Sequence, residues 1–277
     1  MARKSAVAPS VREQSLCLAD MSFDWSQKVV FITGASSGIG RSLAVELGRK
    51  GAALGLLARR ADSLREIVSE VEAAGGRALA LPADVKDADA VRAAANQVRE
   101  KFGRVDILVA NAGIAGTTHA RDLKSNEVAE VIGVNVLGAV NSVTAVLPEM
   151  VEQNSGQLIV ISSLAAYRGL PKSSAYCASK AAVSAFFESL RVDLHGTGVD
   201  VTIIHPGFIK TPLTAGRETQ MPYLMELDDA IKKIIRAIEI RKKSYAFPWQ
   251  LATIVRAAML MPVSLYDRII IKHSYRE

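Results

Sequence analysis

Six short aliphatic runs, none of which alternates apolar with polar residues, punctuate this chain from residue 28 onward. They cover residues 29–33, 53–58, 78–81, 107–110, 158–162 and 199–204. A strand with one wet face alternates with period two, so a continuously apolar strand must be covered on both faces. Between the runs lie amphipathic segments at 39–50, 62–74, 87–102, 124–152 and 175–196. Gly51, Gly75, Gly103 and Gly196 stand near their ends, where the backbone turns left-handed and glycine is tolerated best. Strict alternation of strand and helix predicts an α/β fold: a doubly wound parallel sheet with helices on both faces, in three α/β/α layers. No internal repeat and no linker divides the chain, and 277 residues suffice for one large core.

The flanks read differently. Residues 1–26 mix Arg3, Lys4, Arg12, several serines and Pro9 without periodicity, and are expected to form a disordered extension. Met21, just before the first strand, is an alternative start to the natural protein. Residues 27–248 form the expected catalytic domain and 249–277 a C-terminal helical extension. The net charge of +6 suits scattered solvated Lys and Arg, and no basic block with interleaved aromatics marks a nucleic-acid face. Cys17 and Cys177 are too few and too distant for a disulfide framework. With no signal-peptide core and no uncharged apolar run long enough to span a bilayer, a cytoplasmic location is expected. His119, His195, His205 and His273 lack metal-ligand spacing, and no metal site is expected.

The first run feeds directly into Thr33-Gly34-Ala35-Ser36-Ser37-Gly38-Ile39-Gly40, which opens a helix. Strand, glycine-rich loop and helix form the setting in which backbone N–H groups approach a pyrophosphate and the helix N-terminus favours its charge. Farther along stands Ser174-Ala175-Tyr176-Cys177-Ala178-Ser179-Lys180. Residues four apart share a helix face, so the Lys180 ammonium sits beside the Tyr176 phenol and is expected to lower its pKa.

The spacing TGxxxGxG followed by Tyr-x-x-x-Lys closely resembles the short-chain dehydrogenase/reductase family, in its compact single-domain branch of Rossmann type. The resemblance covers residues 28–213, with Asp84-Val85, Asn111-Ala112-Gly113, Asn135, Ser162-Ser163 and Pro206-Gly207 in the family's order. Ala110 departs from it, at a position where the family often has a second Asn. The resemblance implies a catalytic group of Ser163, Tyr176 and Lys180, with Asn135 as fourth member. Tyr176 would be the general acid in reduction and the general base in oxidation. Lys180 would stabilise phenolate and hold the nicotinamide ribose, and Ser163 would hydrogen-bond the substrate oxygen. Ser163 is preferred to Ser162 because it precedes Tyr176 by the usual spacing, and strand alternation turns the two serines apart. Asn135, in an apolar helix, is expected to bend it and hold a water.

The resemblance also assigns a cofactor seat. Gly34, Ser36, Ser37, Gly38, Ile39 and Gly40 would cradle the phosphates, Asp84 and Val85 the adenine, and Asn111, Ala112 and Gly113 the adjoining ribose. Pro206, Gly207, Ile209 and Thr211 would place the nicotinamide carboxamide. Ala58 replaces the Asp that NAD-preferring members carry at the end of the second strand, and Arg59 follows it. An absent carboxylate and a present guanidinium favour NADP(H).

Residues 211–228 are the expected substrate lid, with Met221, Tyr223, Leu224 and Met225 giving it an apolar inner face suited to a hydrophobic, lipid-like carbonyl or secondary alcohol. The basic, aromatic tail is too short and too charged to span a bilayer. It is expected to pack on the core, the lid or a sister subunit; the alternative is peripheral contact with a membrane surface. Ala139, Ala145, Ala181, Ala182, Ala185, Phe186 and Phe187 suit close helix contact in a homodimer or homotetramer. The leading function is NADPH-dependent carbonyl reduction. Its alternatives are an alcohol dehydrogenase working oxidatively and an NADP-binding regulator without turnover; the intact Ser163, Tyr176 and Lys180 speak against the regulator.

Overall fold

The computed structural model describes residues 23–216 and 221–274, with side chains as far as 271. Expectations for residues 1–22, including the choice of Met21 as start, fall outside these ranges. Residues 23–26 correct the boundary of the expected extension. Asp24 caps a short turn at Trp25–Gln27 by accepting from Ser26 N, and buried Trp25 donates from its indole nitrogen to Glu239 (2.9 Å).

Seven parallel strands form one sheet in the order β3-β2-β1-β4-β5-β6-β7. They are β1 (Val29–Thr33), β2 (Ala53–Ala58), β3 (Arg77–Pro82), β4 (Ile107–Ala110), β5 (Gly156–Ile161), β6 (Val199–Pro206) and β7 (Ser244–Phe247). All residues of β1, β2, β4 and β5 are buried, as two-sided coverage requires. The chain reverses its winding between β1 and β4, and a crevice opens there at the carboxyl ends of the strands.

Helices α1 (Gly38–Arg49), α2 (Ala61–Ala73) and α6 (Leu227–Glu239) contribute to the hydrophobic core cluster that contains Trp25. Helices α3 (Ala88–Phe102), α4 (Ser125–Glu152) and α5 (Ser174–Asp193) contribute to the cluster that contains Phe31 and Phe187. Each buries a stripe at helical spacing; α1 turns Gly40, Leu43, Ala44, Leu47 and Gly48 inward. Asp87 caps α3 by accepting from Asp89 N and Ala90 N, and Gly103 ends that helix at φ +90°. By length and composition α4 resembles a membrane span, yet more than half of its most apolar stretch is buried in the fold.

Two elements extend the six-strand reading. β7 joins β6 in parallel, and α6 buries Ala230, Ile231, Ile234, Ile235, Ala237 and Ile238. Beyond β7 come α7 (Trp249–Met259) and α8 (Val263–Ser274). The residues expected at a subunit contact divide: Ala139, Ala145 and Phe187 are buried in the core, while Ala181, Ala182 and Ala185 face outward.

Candidate active site

The loop between β1 and α1 is shaped by contacts that only glycine permits. Gly34 takes φ +67°, and a Cβ there would lie 2.6 Å from Ala112 Cα. At Gly40 a Cβ would lie 2.4 Å from Gly34 O and 2.5 Å from Asn111 Nδ2. That space is used: Asn111 Nδ2 donates to the carbonyls of Thr33 (2.9 Å) and Gly34 (3.1 Å), bracing the loop from β4. Thr33 Oγ1 accepts from Asn111 N (3.2 Å) and Ala112 N (3.3 Å). The Asn111 side chain thus holds the loop. Ser37 caps α1 without a side-chain hydrogen bond, so the N–H groups of the first turn remain available to an anion. This empty-shouldered turn fits a dinucleotide pyrophosphate.

At the end of β2, Ala58 leaves no carboxylate beside the loop. Arg60, rather than Arg59, reaches it: Arg60 Nη2 donates to Ser36 Oγ (3.0 Å) and Ser36 O (3.2 Å). Arg59 is exposed, close enough to Lys86 for their charges to interact. The start of α2 at residue 61 turns the Arg60 guanidinium back onto the loop, a contact that the sequence analysis, which named Arg59 for the cofactor's 2′-phosphate, did not anticipate. On the far side, Asp84 Oδ1 accepts from Lys86 N (3.0 Å), and buried Val85 packs so close to α4 that a Cβ on Gly138 would lie 2.6 Å from it.

Tyr176, Lys180, Ser163 and Asn135 converge at the carboxyl end of β5. Tyr176 stands close enough to Ser163 for the serine hydroxyl to favour the phenolate, and Ser163 Oγ accepts from Ala165 N (3.1 Å). Ser162 turns the other way, into α5: its Oγ lies 2.7 Å from Ser184 Oγ and bonds the carbonyl of Lys180 (3.2 Å). Lys180 is buried, and its Nζ donates to Ile161 O (2.8 Å) while standing 5.8 Å from the Tyr176 ring centroid. Burial brings the Lys180 ammonium down to about 8. Burial also pushes the Tyr176 phenol up, with the Ser163 hydrogen bond pulling against it. This reverses the expected direction. The desolvated hydroxyl outweighs a cation whose donor is turned to a backbone carbonyl.

Asn135 sits in a π-helical turn, Gly133–Leu137, that interrupts α4. Its Oδ1 accepts from Ile114 N (2.8 Å), and its Nδ2 donates to Ile114 O (2.9 Å) and Ser179 Oγ (2.9 Å). One amide thus ties the loop after β4 to α4 and α5, beside Lys180. Gly113 lies beside this junction: a Cβ there would stand 3.4 Å from Asn135 Oδ1 and 3.5 Å from Lys180 Nζ, in ordinary contact.

The loop after β6 closes the site. Gly207 N donates to Phe247 O (2.7 Å), and its missing Cβ leaves room for Leu251 of α7. Ile209 is buried and bridges to Met225; Thr211 lies against Gly38, 3.6 Å from where its Cβ would stand. The expected lid begins with a turn in which Thr214 Oγ1 donates to Ile209 O (2.6 Å) and accepts from Thr211 N (3.0 Å). Met225 packs on the core, and Tyr223 points to solvent at φ +57° rather than inward. Residues 217–220 of that segment lie outside the described ranges.

One neighbour escaped sequence reasoning. His205, buried at the end of β6, places Nδ1 3.4 Å from Ser163 O and its ring 4.9 Å from that of Tyr167. Burial lowers its pKa to about 4, so it is neutral under the catalytic serine. Its position just before Pro206-Gly207 was the available signal. Cys177 is buried, its Sγ accepting from Leu170 N (3.4 Å). Among the described residues no cluster of His, Cys, Asp and Glu suits a metal. A cavity of about 600 Å³ lies beside the N-terminus of α5, lined by Ile114, Ala115, Val131 and Ala175 among others, but not by Ser163 or Tyr176.

Comparison with known proteins agrees with this geometry. The family model described as short chain dehydrogenase matches residues 28–222. A protein of Myxococcus xanthus (strain DK1622), named an uncharacterized oxidoreductase, is 44% identical over 250 residues, 90% of this chain and 97% of that one. An alcohol dehydrogenase from the archaeon Thermococcus sibiricus, solved with 5-hydroxy-NADP, superposes with a TM-score of 0.73 at 28% identity, covering 79% of this chain and 95% of its own. A short chain dehydrogenase from Mycobacterium paratuberculosis bound to NAD gives a TM-score of 0.72 at 27% identity over 80% and 96%. Both forms of the nicotinamide dinucleotide are therefore found among proteins of this shape.

Proposed function

The chain belongs to the short-chain dehydrogenase family of oxidoreductases, and on that premise we propose that it is an NADP(H)-dependent reductase of hydrophobic, lipid-like carbonyl compounds, reversible toward the secondary alcohol. The observation that carries the reading is Tyr176 next to Ser163, with Lys180 buried four residues farther along the same helix and donating to Ile161 O at the end of β5.

When bound, the cofactor supplies a hydride to the carbonyl carbon. The protein supplies the rest. Ser163 steadies the carbonyl oxygen as negative charge gathers there. Tyr176, kept protonated at neutral pH by its burial, gives its proton to that oxygen, and the alcohol forms. Lys180, charged below about pH 8, stabilises the phenolate left behind and would hold the ribose hydroxyls of the bound cofactor. Asn135 holds the loop after β4 in place through Ile114, beside Lys180.

NADP over NAD is supported by Ala58, by the Arg60–Ser36 contact and by Arg59 beside it. The lipid-like substrate is supported by Tyr167, Phe208 and Val255, which pack around Leu164 and Leu251 next to the catalytic serine. We further read the protein as a cytoplasmic homodimer or homotetramer joined through α4 and α5, with peripheral membrane contact through residues 249–277. NADPH oxidation against ketones and aldehydes of rising chain length tests the reading. Turnover that rises with chain length is expected; tight NADPH binding with no turnover on any member would return the regulator.

A further inference from the structure

One loop joins Ser163 to the helix that carries Tyr176, and the C-terminal helices grip it midway. The loop leaves β5 at Ser163, turns once over Leu164–Ala166 and enters α5 at Ser174. Ser163 O accepts from Ala166 N (3.1 Å) and stands 3.4 Å from His205 Nδ1. Farther on, Leu170 N donates to the sulfur of Cys177, the residue that follows Tyr176 (3.4 Å). The stretch from Ser163 to Leu170 is therefore anchored beside a catalytic side chain at each end.

Its middle leans on α7 and α8. Arg168 Nη1 donates to Met259 O (3.1 Å) and Met261 O (3.4 Å), carbonyls at the end of α7, where a helix runs out of its own donors. The same guanidinium lies 4.2 Å from the Tyr266 ring centroid on α8, and the Tyr266 hydroxyl donates to Gly169 O. Leu251 and Ala252 of α7 are buried with Leu164 in one apolar cluster. Arg256 of α7 lies 5.8 Å from the Tyr167 ring centroid, and Tyr167 meets the His205 ring at 4.9 Å. Two carbonyls and a ring face together hold Arg168, so a shift of the loop breaks hydrogen bonds to a charged donor. Both helices lie beyond residue 222, outside the segment that the family model matches.

We propose that Arg168 and Tyr266 are positioning residues: through them α7 and α8 fix the loop that runs from Ser163 toward Tyr176, and with it the place of the Ser163 hydroxyl. A hydroxyl that must meet a developing oxyanion tolerates little displacement, and a misplacement of about 1 Å can cost about a hundredfold in rate. Arg168 and Tyr266 act through Ser163 and not on the cofactor, whose phosphate loop follows β1. The catalytic consequence rests on the role proposed for Ser163; the grip on the loop does not.

Amide hydrogen exchange and steady-state kinetics on the full chain test it with two variants. Arg168→Ala removes the guanidinium, and the milder Tyr266→Phe keeps the ring and deletes the hydroxyl. The N–H groups of Ala165, Ala166, Tyr167 and Leu170 donate within the loop or to Cys177, so their exchange reports its opening. That exchange is expected to speed up about tenfold or more in Arg168→Ala and less in Tyr266→Phe, with β1 and β4 as protected as in wild type. With a long-chain ketone, kcat is expected to fall about ten- to a hundredfold in Arg168→Ala, at unchanged NADPH affinity by fluorescence titration. On top of Ser163→Ala, Arg168→Ala is expected to cause no further loss, because both act on one hydroxyl. Unchanged exchange in both variants would overturn the proposal, and so would a rise shared equally by β1 and β4, which marks lost overall stability. A loosened loop with undiminished kcat, or a full multiplicative loss on top of Ser163→Ala, would overturn it too. A wild type that reduces no carbonyl compound would instead sink the proposed function, and exchange alone would then decide whether the helices hold the loop.

Discussion

Tyr176 carries its proton at neutral pH as any phenol does, and burial raises its pKa further, which suits the proposed role as proton donor to a carbonyl oxygen. Tyr176→Phe preserves the ring and deletes the proton, so kcat is expected to fall by about 10²–10⁴-fold, with NADPH affinity by fluorescence titration unchanged. Lys180 loses its charge as pH rises through about 8, and reductive turnover is expected to decline over the same range. His205 yields a stability prediction. Its folded pKa of about 4 lies below the ordinary 6.5, so the unfolded chain takes up the proton first, and stability present above 6.5 is lost as pH falls toward 4. The loss reaches up to about 3 kcal/mol, and thermal unfolding of His205→Asn should show a flatter acid limb than wild type. The identities of Ser163, Tyr176 and Lys180 were legible because their spacing is local. The direction of the Tyr176 shift was not, since burial is a property of the whole fold.

The phosphate loop depends on two elements meeting without side chains between them. Gly40→Ala forces a Cβ onto Gly34 O and Asn111 Nδ2, an overpacking of about 1–3 kcal/mol, and should weaken NADPH binding by roughly 5–150-fold in the same titration. The NADP assignment proposed above places cofactor choice at the turn from β2 into α2. Arg60→Ala is expected to lower the NADPH/NADH ratio of kcat/KM by roughly tenfold, as the loss of a hydrogen bond to a charged group predicts. An unchanged ratio there and in Arg59→Ala would refute the NADP assignment. Strands β1, β2, β4 and β5 were legible because two-sided burial leaves uninterrupted aliphatic runs, and the half-exposed edge strand β3 because its run 78–81 is equally apolar. β7 was not: four residues preceded by Arg241, Lys242 and Lys243 read as a basic tail until β6 supplies their partner. The π turn at Asn135 was equally hidden, for one extra residue per turn leaves no mark in composition.

Across the whole molecule, the sheet delivers loops from β1, β4, β5 and β6 to one edge, where proton donor, phosphate seat and tail helices meet. The parallel, doubly wound sheet followed from the alternation of strands with helices, whereas the seating of α7 beside Leu164 depended on contacts between residues far apart in the chain. The same arrangement makes catalysis separable from cofactor binding, because the phosphate loop and the Ser163–Tyr176 pair stand on different strands. The most direct test is therefore loss of NADPH absorbance with a long-chain ketone, compared between wild type and Tyr176→Phe at equal NADPH saturation. The account predicts turnover by the wild type and its near-complete loss in a variant that still binds NADPH. Undiminished turnover by Tyr176→Phe would contradict it.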